Sequence, residues 1–299
     1  MNEHELLFYW HIFFSVIIFI FGACIGSYLN VCIYRIPREE STVKPRSHCP
    51  HCKKQIAWWN NIPLVSYIVL RARCTECGGK IIPRYFLVEL LVAVLFLLAW
   101  LKYDFLGAPA SLGLVQIYDF ELVPICWLII SGLVLGTFVD FEHLIIPDRV
   151  TIGGCIAGLM LSITFPSLHG EESMIASVAS SAIGLVVGWG GLWLVAILGR
   201  WAFKKEAMGF GDVKLLGAIG AFFGWQGVLF TLIVSSFLGS IAGILMVVTK
   251  NKEMQSRIPY GPYIALAAIL WMYWGSAWWG AYVDLMTPEP VYPYVQPFM

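Results

Sequence analysis

LVPICWLIISGLVLGTFVD, running from Leu122 to Asp140, is eighteen uncharged residues that end on a carboxylate. A helix of about 20 mostly apolar residues crosses the hydrocarbon core of a bilayer. This run comes close to that length and has no polar face with which to sit in water. Read as a span, it delivers Asp140 to the margin of the membrane at the C-terminal end of a helix. There the helix dipole disfavours negative charge, and no capping role gives the residue work. Ionisable groups at membrane depth or at its edge are costly and are candidates for function.

Working outward, the chain repeats the pattern. Of its 299 residues 59% are hydrophobic and 13% charged, against roughly half and about a quarter in soluble domains. Further apolar segments run over Trp10–Tyr34, Tyr85–Leu101, Val150–Phe165, Met174–Trp201, Val213–Gly224, Val228–Val248 and Ile264–Tyr282. With Leu122–Val139 they predict an all-α integral membrane protein of about eight transmembrane helices. The division at Gly224-Trp225-Gln226-Gly227 is the least marked: two spans, one long helix or a re-entrant pair all fit it. With the N-terminus outside, every Lys and Arg except Lys102 falls on one side. They sit in 35–84, 140–149, 204–214 and 250–263, or at Arg200 on the inner end of the fifth segment. Asp104, Asp119, Glu171, Glu172 and Glu289 are among the acidic residues opposite. The positive-inside rule makes the basic side cytoplasmic. A formal net charge of +0 offers no footprint for nucleic acid. The first segment follows Glu3 and Glu5 and lacks a small-residue cleavage site, so it reads as a span rather than a cleaved signal.

The sizeable insert between spans, 35–84, carries Cys49-Pro50-His51-Cys52 and Cys74-Thr75-Glu76-Cys77, then Gly78-Gly79. Two Cys-x-x-Cys knuckles are the usual frame of a four-thiolate zinc site. The 21 residues between them are slightly long, which a zinc-ribbon-like unit with a longer loop absorbs. The competing readings are two disulfides, disfavoured in a reducing cytoplasm, and a redox pair, for which no thioredoxin-like βαβ pattern is present. So small a unit buries little apolar surface, and Zn2+ would supply folding energy directly. His48 and His51 are weaker candidates as ligands. Cys24, Cys32, Cys126 and Cys155 read as small packing residues in the spans.

Two short cytoplasmic stretches hold the chemistry. Asp140-Phe141-Glu142-His143-Leu144-Ile145-Ile146-Pro147-Asp148 follows the third span, and Gly209-Phe210-Gly211-Asp212-Val213-Lys214 precedes the sixth. Asp148, between Pro147 and an apolar helix, reads first as an N-cap. Asp212 could cap as well, but Gly209 and Gly211 remove bulk before it and would let a substrate backbone come close. Glu142 and His143 read as loop residues. Two carboxyls in one site cannot both ionise easily. The ionised one then activates a water while the protonated one donates to a scissile carbonyl.

Together these residues resemble, in order and over nearly the whole chain, the bacterial type IV prepilin peptidases of the GxGD membrane aspartic protease family. The likeness is carried by Gly26-Ser27-Tyr28-Leu29-Asn30-Val31 with Tyr34-Arg35-Ile36-Pro37, and by the knuckles bracketing Asn61–Tyr67. Arg84-Tyr85, Val88-Glu89-Leu90, Asp140 to Asp148, Gly209–Leu216 and Pro259–Tyr263 continue it. The resemblance implies Asp140 and Asp212 as the catalytic pair, supported by Gly209, Gly211, Asp148 and Lys214. It implies structural Zn2+ on Cys49, Cys52, Cys74 and Cys77. It further implies cleavage of leader peptides from prepilins and pseudopilins at the cytoplasmic face of a bacterial inner membrane. N-methylation of the new terminal residue from S-adenosylmethionine would follow, through donor-binding residues that no motif identifies. The expected organisation is 1–34 with the first helix, 35–84 as the zinc module, 85–284 as the membrane peptidase domain and 285–299 as a tail. The rivals are a non-catalytic zinc-containing scaffold and a methyltransferase alone, and neither gives Asp140 a role.

Overall fold

The structure is a computed structural model that describes residues 3–103, 120–204, 209–249 and 259–287. Helices α1 (Glu3–Arg35), α2 (Val65–Val69), α3 (Arg84–Tyr103), α4 (Leu122–His143), α5 (Asp148–Thr164), α6 (Met174–Phe203), α7 (Phe210–Val248) and α8 (Gly261–Met286) follow one another in the chain. Among the described residues there is no β-strand. The insert has two isolated bridges, His48 with Gln55 and Arg73 with Lys80. By length and composition α1, α3, α4, α6 and α7 can each cross a membrane. The 17 residues of α5 reach about 25 Å at ~1.5 Å per residue, a little short of the ~30 Å hydrocarbon core.

The open division at 224–227 resolves as a break inside one element. α7 is 39 residues long and leaves helical geometry at Gly224, with φ 67 and ψ −176. That backbone is essentially restricted to glycine. The sixth and seventh segments are therefore helices abutting at a single residue, with no four-residue loop between them. Such a break removes the usual partners of carbonyls in the preceding turn. One of them, on Ala221, instead accepts the Ser181 hydroxyl of α6 at 2.7 Å.

Helices in lipid gain little hydrophobic drive from meeting one another, so close fit at small residues decides where they touch. A Cβ on Gly22 or Gly26 of α1 would stand 2.8 Å from the Ala93 Cα or 2.7 Å from the Glu89 Cα of α3. Gly184 and Gly220 bring the α6 and α7 backbones into direct contact, and Gly158 of α5 lies against Ala221. Outward faces keep their apolar residues: Ile233 and Phe237 of α7 are 68% and 66% exposed. Faces of this kind suit lipid.

Lys102, the basic residue on the acidic side, is buried. Its ammonium donates to the Met272 carbonyl and lies 5.1 Å from the Tyr103 ring centroid, tying α3 to α8. It is a packing contact and does not break the charge asymmetry. Asp104, Asp119, Lys205, Lys250, Lys252, Arg257, Glu289 and the tail from residue 288 lie outside the described residues.

Candidate active site and metal centre

Asp140 occupies the last turn of α4. The helix ends there because Leu144 takes the left-handed conformation (φ 54) and its N–H donates to the Asp140 carbonyl at 2.9 Å. This turn leaves Asp140 only 5% exposed. Its Oδ2 accepts the Gly261 N–H at 3.0 Å, at the first residue of α8. From sequence only the negative end of α4 acts on this carboxyl. The structure adds the positive end of α8, so the two dipoles oppose one another here.

Asp212 lies in the first turn of α7 and is 8% exposed. The Gly209 backbone hydrogen-bonds its carboxyl, and Asp140 is close enough to act on it electrostatically. Gly209 and Gly211 act locally. A Cβ on Gly209 would stand 3.2 Å from Asp212 Oδ2, and one on Gly211 would stand 3.3 Å from the Ile146 Cβ. Ile146, 9% exposed, is wedged between the elements that carry the two aspartates. It faces Gly136 of α4, Gly211 of α7 and Gly261 of α8. A pair of partly desolvated carboxyls, held by backbone amides and walled by one apolar side chain, is suited to acid–base work on a water molecule.

Two expectations change. Asp148 is not an N-cap: Pro147 holds that position, and Asp148 is the first residue of α5. Its Oδ1 accepts from Lys214 Nζ at 2.7 Å, linking the starts of α5 and α7 near Asp212. Glu142 is not a free loop residue, since it pairs with Arg84 at the start of α3. Sequence reasoning also gave no role to Ile146 or Gly261. Gly261 stood out in the sequence only as part of Pro259-Tyr260-Gly261-Pro262-Tyr263, a stretch that carries the family resemblance.

The four cysteines Cys49, Cys52, Cys74 and Cys77 form one cluster, their sulphurs all within 4.8 Å of one another. Cys49 and Cys77 are 3.9 Å apart. Four sulphurs at the usual ~2.3 Å zinc distance would stand about 3.8 Å from each other at tetrahedral corners, so the cage fits a metal of that size. Both knuckles close alike: Lys53 (φ 60) and Gly78 (φ 68) follow the second cysteine of each pair in left-handed conformation. Backbone amides of Cys77 and Glu76 draw the Cys74 thiol down to about 7, while the crowding of the other sulphurs raises Cys77 to about 11, so the proton left in the cluster is held at Cys77. His48 and His51 are not in the cluster. The His51 ring lies over Gly79, 2.8 Å from where a Cβ would stand there.

Comparison with known proteins agrees with this arrangement. Residues 20–103 match the bacterial peptidase A24 N-terminal domain, and residues 127–244 match the type IV leader peptidase family. The prepilin leader peptidase/N-methyltransferase of Myxococcus xanthus is 36% identical over 252 residues, covering 84% of this chain and 69% of the relative. Those of Aeromonas hydrophila and Pseudomonas aeruginosa are 35% identical over 295 residues and 32% over 279. They cover 89% and 85% of this chain and 92% and 88% of the relatives. No solved structure matches the chain.

Proposed function

Because this chain belongs to the type IV leader peptidase family, we propose that it removes leader peptides from prepilins and pseudopilins and then N-methylates the new terminus. The observation that carries the reading is the meeting of Asp140 and Asp212, two nearly buried carboxyls on different helices, each held by a backbone amide. In this mechanism the ionised carboxylate takes a proton from water, whose oxygen attacks the scissile carbonyl carbon. The protonated carboxyl donates to the carbonyl oxygen, and the tetrahedral species collapses as the leaving nitrogen is protonated. Asp148 and Lys214 support the site by joining the starts of α5 and α7. A scaffold without catalysis, or a methyltransferase alone, gives the two buried carboxyls no work. Purified protein in lipid nanodiscs, mixed with a synthetic prepilin leader peptide, should yield two products by mass spectrometry. The new N-terminus should gain one methyl group only when S-adenosylmethionine is added. An intact peptide would overturn the reading.

The four-thiolate cage holds structural Zn2+ in this reading. Elemental analysis should find one zinc per chain, lost in Cys77→Ser. Residues 35–84 should then become sensitive to protease, because a metal-folded unit opens without its ion. Active protein freshly purified without zinc would remove the assignment.

The same reading sets the protein in the bacterial inner membrane, with the cage and both aspartate loops in the cytoplasm. The partition of basic residues supports it. A cysteine placed at Glu171 should react with a membrane-impermeant maleimide on intact cells, and one at Glu39 should react only after permeabilisation. The reverse pattern would invert the topology.

A further inference from the structure

Residues 58–69, between the two knuckles, belong to neither the metal cage nor the aspartate pair. They form a 3-10 turn (Trp58–Asn61) and the short helix α2. Ser66 joins the two: its hydroxyl donates to the Trp59 carbonyl at 3.2 Å and its N–H to the Ile62 carbonyl at 3.0 Å. The helix is amphipathic in the opposite sense to one that packs its apolar face inward. Val65, Ile68 and Val69 are spaced i, i+3 and i+4, so they share one face, and that face points out. Ile68 and Val69 are 64% and 71% exposed. Tyr67 turns the other way, onto Phe86 of α3, with ring centroids 5.3 Å apart. Trp58, Trp59 and Ile62, all exposed, adjoin the outward face. An apolar surface of this kind, on so small a unit, marks a place of contact.

Its height says what covers it. The start of α3 lies at the water edge, where Arg84 pairs with Glu142 in the last turn of α4. The Leu64 N–H donates to Glu89 Oε2 at 2.7 Å, which holds the chain just before α2 beside the second turn of α3. The contact of Tyr67 with Phe86 holds α2 itself beside the first turn. Leu87 and Leu91, on the same part of α3, are exposed and face lipid if α3 spans. Arg71 and Arg73, both exposed, follow α2. An apolar face with two Trp, set where a span leaves water and followed by Arg, has the composition of a segment lying in a membrane interface.

We propose that this face is an interfacial anchor, seated among the upper acyl chains of the cytoplasmic leaflet, with Arg71 and Arg73 on phospholipid phosphates. Its occupant is the bilayer that α3 crosses, so the inference rests on the membrane reading of α3. The anchor gives the cysteine module a third attachment besides α1 and α3, and fixes its tilt against the membrane.

The test uses full-length protein in nanodiscs of phosphatidylcholine and phosphatidylglycerol, with a prepilin leader peptide added. The photo-crosslinker p-benzoylphenylalanine replaces Val69, Leu91 or Glu76, one at a time. Irradiation should give lipid adducts at Val69 as it does at Leu91. It should give little or none at Glu76, whose exposed pair with Lys54 lies in water. Independently, the tryptophan emission that the wild type has over Trp58→Phe/Trp59→Phe should be lost when the phospholipid carries bromine on its upper acyl chains. Adducts at Val69 only to the peptide or to a second protein chain would overturn the proposal. So would equal lipid labelling at Glu76, or emission from Trp58 and Trp59 that survives bromine. Lipid adducts at Leu91 with none at Val69 would sink this inference alone. No lipid adduct at Leu91 would sink the membrane reading of α3 with it.

Discussion

Asp140→Asn and Asp212→Asn are each expected to leave less than about one part in 10³ of the leader-cleavage rate. One carboxyl must accept a proton from water and the other must donate one, and a positioned acid or base is commonly worth 10²–10⁴-fold. An amide can do neither. Both substitutions keep the side-chain volume, and the new amide oxygen at position 140 can still accept the Gly261 N–H that now binds Oδ2. The loss should therefore come without a comparable loss of fold. Residues that act as one unit are strongly non-additive, so the double variant should be no slower than the slower single one. Asp212→Asn should still methylate a peptide supplied already cleaved. Full cleavage in either single variant would sink the protease reading. A folded Asp212→Asn that transfers no methyl would show that the two reactions share a site.

The membrane architecture and both aspartates were legible because lipid makes sequence unusually explicit. Charge is scarce within and beside the spans, so the carboxyls of Asp140 and Asp212 stand out. The knuckles were equally plain, since two Cys-x-x-Cys pairs are the usual frame of a four-thiolate metal site. The residues that remained hidden act through distance and orientation, which spacing does not encode. Gly261 matters because its amide reaches Oδ2 of a residue 121 positions earlier. Ile146 is one aliphatic residue among many until the fold wedges it between three glycines. Asp148 looked like a cap because Pro147 precedes it, and only the placing of α7 shows Lys214 as its partner.

Gly261→Ala is expected to slow cleavage by about 10- to 10²-fold with little change in folding. The added Cβ would stand 2.7 Å from Asp140 Oδ2 and 3.1 Å from Ile146 Cδ1. Carbon and oxygen do not pack so closely, so something must move. The backbone of α8 is poorly placed to yield, since Pro262 follows and restricts the conformation of the residue before it. The Asp140 carboxyl can rotate, but rotation carries it away from the Gly261 amide and out of register with Asp212. A displacement of roughly 1 Å in a reacting group can cost about 10² in rate. Gly280→Ala, on the same helix with nothing within 4 Å of its Cβ position, is the matched control and should cleave normally. Acting through Asp140 also fixes the coupling: with Asp140→Asn in place, adding Gly261→Ala should cost little more, because the group it displaces no longer works. Wild-type cleavage in Gly261→Ala would mean the carboxyl is not held as described. A full further loss in the double variant would mean that Gly261 acts by a route independent of Asp140.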